Sequence, residues 1–195
     1  EFCSGGAETA RKVAERLEIP YYDKAIIDET VESTQLAAEI VAHHDERPIT
    51  YSDITGFQYG GLWYHEDPSL TLPVGMRVAD AQFDVIRKAA NRSPCVIVGR
   101  CADYILRSEP NRLAVFVFAP EQARLDNCTQ RLNMTLPEAK KMMKSVDAAR
   151  KSYHKKYTGY DPGELDQYDL LINSAVLGIE GTAAYLAQLV RLRFG

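Results

Sequence analysis

What this chain lacks narrows it first. No apolar run reaches the ~18 residues that a membrane-crossing helix needs, so no membrane role is expected. Its four cysteines, Cys3, Cys95, Cys101 and Cys128, form no CxxC pair. That argues against zinc and against a disulfide framework, and points to a reducing, cytoplasmic setting. Positive charge is not in excess: 23 Lys and Arg face 27 Asp and Glu, a net −4 that disfavours nucleic acid as a partner. No internal repeat or low-complexity tract is present. The remaining frame is 195 residues, 46% hydrophobic and 26% charged. It suits one globular domain with a sizeable core and a small insertion.

The charge is unevenly spread. Tyr21 to Ser69 carries ten acidic side chains against Lys24 and Arg47, whereas Lys140 to Tyr157 carries seven basic ones against Asp147. A basic helix in an acidic protein fits a small polyanion such as a nucleotide phosphate chain, or else an ordinary solvated face.

Apolar spacing predicts a helix over 8–17, a short strand at Tyr21-Tyr22, and a second helix over 23–43. Residues 45–72 read as an irregular excursion rich in Gly, Pro and aromatics, suited either to covering a base or to an oligomer interface. A helix over 74–90 follows. Three apolar runs, 95–98, 113–118 and 168–173, read as buried parallel strands separated by helices, and a last helix is expected over 179–192. The fold class is therefore α/β, with a parallel sheet covered by helices on both faces. A Gly-rich turn, Ser4-Gly5-Gly6, opens the first helix and would present backbone N–H groups to an anion. In folds of this type a central strand feeds that turn, so a strand upstream of Glu1 is expected in the native protein.

The stretch EFCSGGAETARKVAERLEIPYYDK resembles the opening of the cytidylate kinase-like family, which typically reads Arg-Glu-Tyr-Gly-Ser-Gly-Gly-Arg-Glu-Ile-Ala. AQFDVIRKAANRSPCVIVGRCADYIL is similar to that family's Gln-containing helix, third strand and following turn. VDAARKSYHKKYTG and then YDLLINSAVLGIEG complete the match, which spans most of the chain outside 45–72. The resemblance implies a three-layer P-loop kinase fold in one domain, 1–195. A monophosphate-binding insertion would occupy about 24–92 and a lid-type helical segment about 121–160.

It also implies roles. Ser4, Gly5, Gly6, Ala7 and Glu8 would hold the ATP phosphates at the start of the first helix. A Walker-type loop would next supply a Lys and a Ser or Thr; Ala7 supplies neither, nor the Arg that the family often carries. Arg100 would clamp the acceptor phosphate, with Asp103 replacing the acid that Cys101 displaces. Asp147 and Arg150, three apart on one helix face, match an Asp-x-x-Arg pair for the base and phosphate. Asp23 either faces the acceptor or caps a helix. Arg124 and Arg131 would be the catalytic cations, aided by Lys144, Lys151, Lys155 and Lys156. ATP and Mg²⁺ are the implied cofactors, small-molecule nucleotides the partners, and CMP or dCMP the acceptor. The sequence offers no protein metal site and leaves homo-oligomerisation open. A nucleotide-binding sensor without phosphoryl transfer is the competing reading.

Overall fold

The computed structural model describes residues 1–46 and 74–195. The aromatic excursion, apart from Asp45 and Glu46, lies outside the described residues. The chain is α/β, largely helical, with short parallel strands. In order it forms α1 (Gly6–Leu17), β1 (Tyr21–Tyr22), α2 (Lys24–Thr34), α3 (Ala38–His44) and α4 (Val74–Arg92). Then come β2 (Val96–Ile97), α5 (Ala102–Ile105), β3 (Val115–Phe118), α6 (Glu121–Arg131) and α7 (Leu136–Thr158). A 3₁₀ turn, β4 (Leu170–Asn173) and α8 (Ser174–Phe194) close the chain.

Each strand pairs in parallel, β1 with β2 from Tyr21 opposite Val96, and β3 with β4 from Val115 opposite Leu170. Among the described residues these are two two-stranded sheets, whereas the sequence suggested one. A cavity of about 1820 Å³ opens between them, lined by Val96 from one pair and by Val115 and Val117 from the other. Its walls also include Val13, Leu17 and Leu186. Helices α1 and α8, which supply these side chains, pack against each other.

The predicted helix over 23–43 is two helices. Thr30, Ser33 and Thr34 turn their hydroxyls onto backbone carbonyls of the preceding turn, at 2.6, 3.1 and 2.7 Å. Such back-bonding competes with helix continuation. Gln35 then takes a left-handed φ of 55°, its N–H closing on the Val31 carbonyl. The last helix starts at Ser174, earlier than expected, with Asn173 accepting from the Ala175 N–H at 3.0 Å. Gly178, at φ 64° and ψ 175°, breaks it just before Ile179, where the helical spacing becomes regular.

Two core clusters hold the strand ends in place. Tyr22, Ile26, Val85, Ile86 and Ala89 pack β1 and α2 onto α4. Val13, Ala183 and Leu186 join α1 to α8 against Val96, Val115 and Ile172. Burying an Ile or Leu side chain contributes about 1.5–3 kcal/mol. The third cluster, Leu125, Cys128, Ala139 and Met143, seats α6 and α7 against Phe2 and Cys3. There the expectation of no disulfide is corrected: Cys3 is joined to Cys128, with Cα atoms 6.0 Å apart, while Cys95 and Cys101 are free thiols. The two partners lie 125 residues apart, a pairing that spacing alone does not reveal. No described helix is long and apolar enough to cross a membrane.

Candidate active site

Asp23 follows β1, Gly99 and Arg100 follow β2, and the turn before α1 lies beside the end of β3. Carboxyl ends of parallel strands therefore meet a helix N-terminus, the usual position of ligands in open α/β sheets.

The Gly-rich turn before α1 is held from below by hydroxyls. Ser4, 1% exposed, lies within hydrogen-bond reach of the Glu1 and Val117 carbonyls, at 2.9 and 3.2 Å. Ser174 Oγ donates to the Ser4 carbonyl at 2.5 Å. Gly5 has φ 78°, and a Cβ there would meet Ile179 at 2.8 Å. Only glycine satisfies both conditions. No side chain caps α1, so its first-turn amides and positive dipole end remain available to an anion.

Helix α6 lies along this turn. Arg124 Nε donates to the Phe2 carbonyl at 2.8 Å, and its other nitrogens meet Asp147 and, at 3.6 Å, Glu1. Arg131 pairs with Glu8, and Asn127 donates to the Cys3 carbonyl at 2.9 Å. Both expected catalytic arginines thus stand beside residues 1–8, each paired with a carboxylate. Lys12 turns away, to Glu180 at 2.7 Å.

A second cluster is built around Arg100, whose side chain is 4% exposed. Nε and Nη2 bind Asp45 in a two-pronged pair, both at 2.8 Å. Nη1 donates to Asp23 at 3.0 Å and to the Val98 carbonyl at 3.2 Å. Burial alone would lower the guanidinium pKa; the Asp45 charge and hydrogen bonds outweigh it and raise it. Asp45 also accepts from Gln82 at 3.0 Å. Glu46 accepts from the Arg100 N–H at 3.2 Å and from Arg150 Nε at 2.7 Å. Tyr21 donates to Asp23 at 3.2 Å; burial and that carboxylate push its phenol up to about 12.

Asp147 and Arg150 share a helix face but serve different partners. Asp147 accepts from the Phe2 N–H at 2.9 Å and pairs with Arg124, while Arg150 reaches Glu46. Asp103 belongs to another network. It accepts from Tyr160 at 2.7 Å and from His154 Nε2 at 3.0 Å. Burial would raise its pKa, yet these hydrogen bonds hold it below the ordinary carboxylate value. His154 Nδ1 faces the Tyr160 carbonyl at 3.1 Å. With acceptors at both nitrogens, the ring is suited to carry both protons. Burial opposes that charge, but Asp103 prevails and the pKa is raised. Lys151 and Lys155 pair with Asp161.

Several of these residues escaped the sequence reading. Asp45 and Glu46 were visible only as members of an acid-rich stretch. His154 and Tyr160 carried no spacing signal, and Ser174 lay ahead of the helix expected over 179–192. Among the described residues no cluster of three or more His, Cys, Asp or Glu could hold a metal ion.

Comparison with curated proteins finds no match. The fold is similar to the crystal structure of an uncharacterized protein from Eubacterium ventriosum, with 25% identity and a TM-score of 0.70. That similarity covers 98% of this chain and 94% of the other. The sequence profile of the cytidylate kinase-like family matches residues 1–176, and the chain belongs to that family.

Proposed function

We propose that this chain is a nucleoside monophosphate kinase-like protein that transfers the γ-phosphoryl group of ATP to CMP or dCMP. The supporting observation is the uncapped start of α1, flanked by Arg124 and Arg131 and set at the same strand edge as Arg100 and Arg150. In this reading the chain is a three-layer P-loop kinase domain. Residues 24–92 hold the monophosphate, and 121–160 act as a lid.

The amides of Gly6, Ala7 and Glu8 would cradle the ATP phosphates, and the arginines of α6 would neutralise charge on the transferred group. Arg100, Arg150 and Asp147 would position the acceptor so that its phosphate oxygen lies in line with the γ-phosphorus. Asp23 fixes the Arg100 fork. Mg²⁺ would arrive with the polyphosphate and supply charge neutralisation there, since among the described residues no cluster of carboxylates would hold it. The turn fits a polyphosphate, since its amides are uncapped. It offers no hydroxyl to the metal, because Ala7 stands where a Walker-type loop has Ser or Thr.

A second reading, nucleotide binding without transfer, draws on that same Ala7 and on Lys12 being held by Glu180. A coupled ATP-consumption assay across nucleoside monophosphates, run beside thermal unfolding with each ligand, separates the two. Turnover with CMP or dCMP supports the kinase. A raised melting temperature without turnover supports the binding protein. No stabilisation and no turnover overturns both.

A further inference from the structure

The turn after β2 is shaped for an anion, and one of the protein's own carboxylates fills it. Gly99, Arg100 and Cys101 take consecutive left-handed φ values of 75°, 51° and 58°. Successive turn conformations can gather backbone N–H groups around a negative charge. Glu46, just beyond α3, enters this turn. One carboxylate oxygen takes the Arg100 N–H at 3.2 Å and the other takes Arg150 Nε at 2.7 Å. A Cβ on residue 99 would lie 2.3 Å from the first oxygen, so glycine is what admits the carboxylate.

The surroundings divide into a fixed frame and an exchangeable member. Asp45 takes two guanidinium bonds and one from Gln82, and Asp23 takes a third guanidinium bond. All of this stands without Glu46. Glu46 itself is held by one main-chain donor and by an arginine whose side chain is 45% exposed. A carboxylate and the edge of a phosphate present the same acceptors to such donors.

We propose that Glu46 is an internal anion occupying the acceptor-phosphate position, and that an incoming phosphate group binds by displacing it. The proposal rests on the acceptor assignment above. An internal competitor lowers apparent affinity by the fraction of time the position is free. It also sets a threshold: a phosphate dianion can displace a single carboxylate, whereas an unphosphorylated nucleoside brings no charge to do so.

The test is calorimetric titration of inorganic phosphate and of CMP into the full chain, comparing wild type with Glu46→Gln and Glu46→Ala. Circular dichroism verifies that each variant is folded. Asp84→Asn, on the exposed face of α4, controls for net charge. Phosphate should bind at least about ten-fold tighter to both Glu46 variants, with Asp84→Asn unchanged. Adding Arg150→Ala to Glu46→Gln should abolish the gain. If phosphate binds both Glu46 variants no tighter than wild type, the proposal is overturned, and CMP turnover by wild type would leave the kinase reading intact. If phosphate binding tightens while CMP is neither bound nor turned over, the internal anion stands and the nucleotide acceptor falls.

Discussion

The two halves of the candidate site, the donor and acceptor sides of the proposed kinase, present positive charge by different means. On the donor side the groups offered to an anion are backbone amides, held by a scaffold of hydroxyls and glycines. On the acceptor side they are arginine side chains, already engaged by carboxylates. Backbone donors need no counter-charge, so they can wait unpaired at a helix start. A guanidinium as buried as that of Arg100 cannot, because an unpaired charge away from water is costly. The protein therefore supplies its own anions wherever the cation is a side chain, Asp45 and Asp23 at Arg100 and Asp147 and Glu8 at Arg124 and Arg131, but none at the α1 amides.

The largest test of this contrast removes the cation. Arg100→Ala would leave Asp45 and Asp23 half-buried without their partner, and urea unfolding should lose about 3–5 kcal/mol. Acceptor binding should vanish with it. On the donor side, reducing the Cys3–Cys128 bond, or Cys3→Ser, should cost about 2–5 kcal/mol in the same experiment. Gly5→Ala should cost about 1–3 kcal/mol through its left-handed φ and the Ile179 contact, without any change of charge.

A pH series probes the separate Asp103–His154 network. The folded pKa of His154 lies above its ordinary 6.5, so its contribution is complete below that value and is lost as pH rises through the raised one. That of Asp103 lies below its ordinary 3.8, so its contribution holds above 3.8 and is lost as pH falls through the lowered one. The melting-temperature difference between wild type and His154→Gln should therefore be full below pH 6.5 and shrink as pH rises above it. The smallest effect is expected away from both halves. Glu180→Gln breaks solvent-exposed pairs with Lys12 and Arg16 and should leave the melting temperature unchanged within error.

The contrast also explains what the sequence could reveal. The strands, the Gly-rich turn and the helix it opens depend on local pattern, so β1 to β4 and α1 were legible from residue spacing. The break at Gln35 was not, because it depends on three hydroxyls turning inward. Arg100 stood out through its turn after a strand, but its partners Asp45 and Asp23 come from distant positions. Pairings such as Arg124 with Asp147, or Cys3 with Cys128, exist only once α6 lies across the first residues.

The serine at the foot of the last helix has a mechanical consequence. Ser174 Oγ reaches both the Ser4 carbonyl and, at 3.2 Å, the Phe118 carbonyl, tying together the Gly-rich turn, the end of β3 and the start of α8. The turn cannot shift without dragging the carboxyl-terminal helix with it.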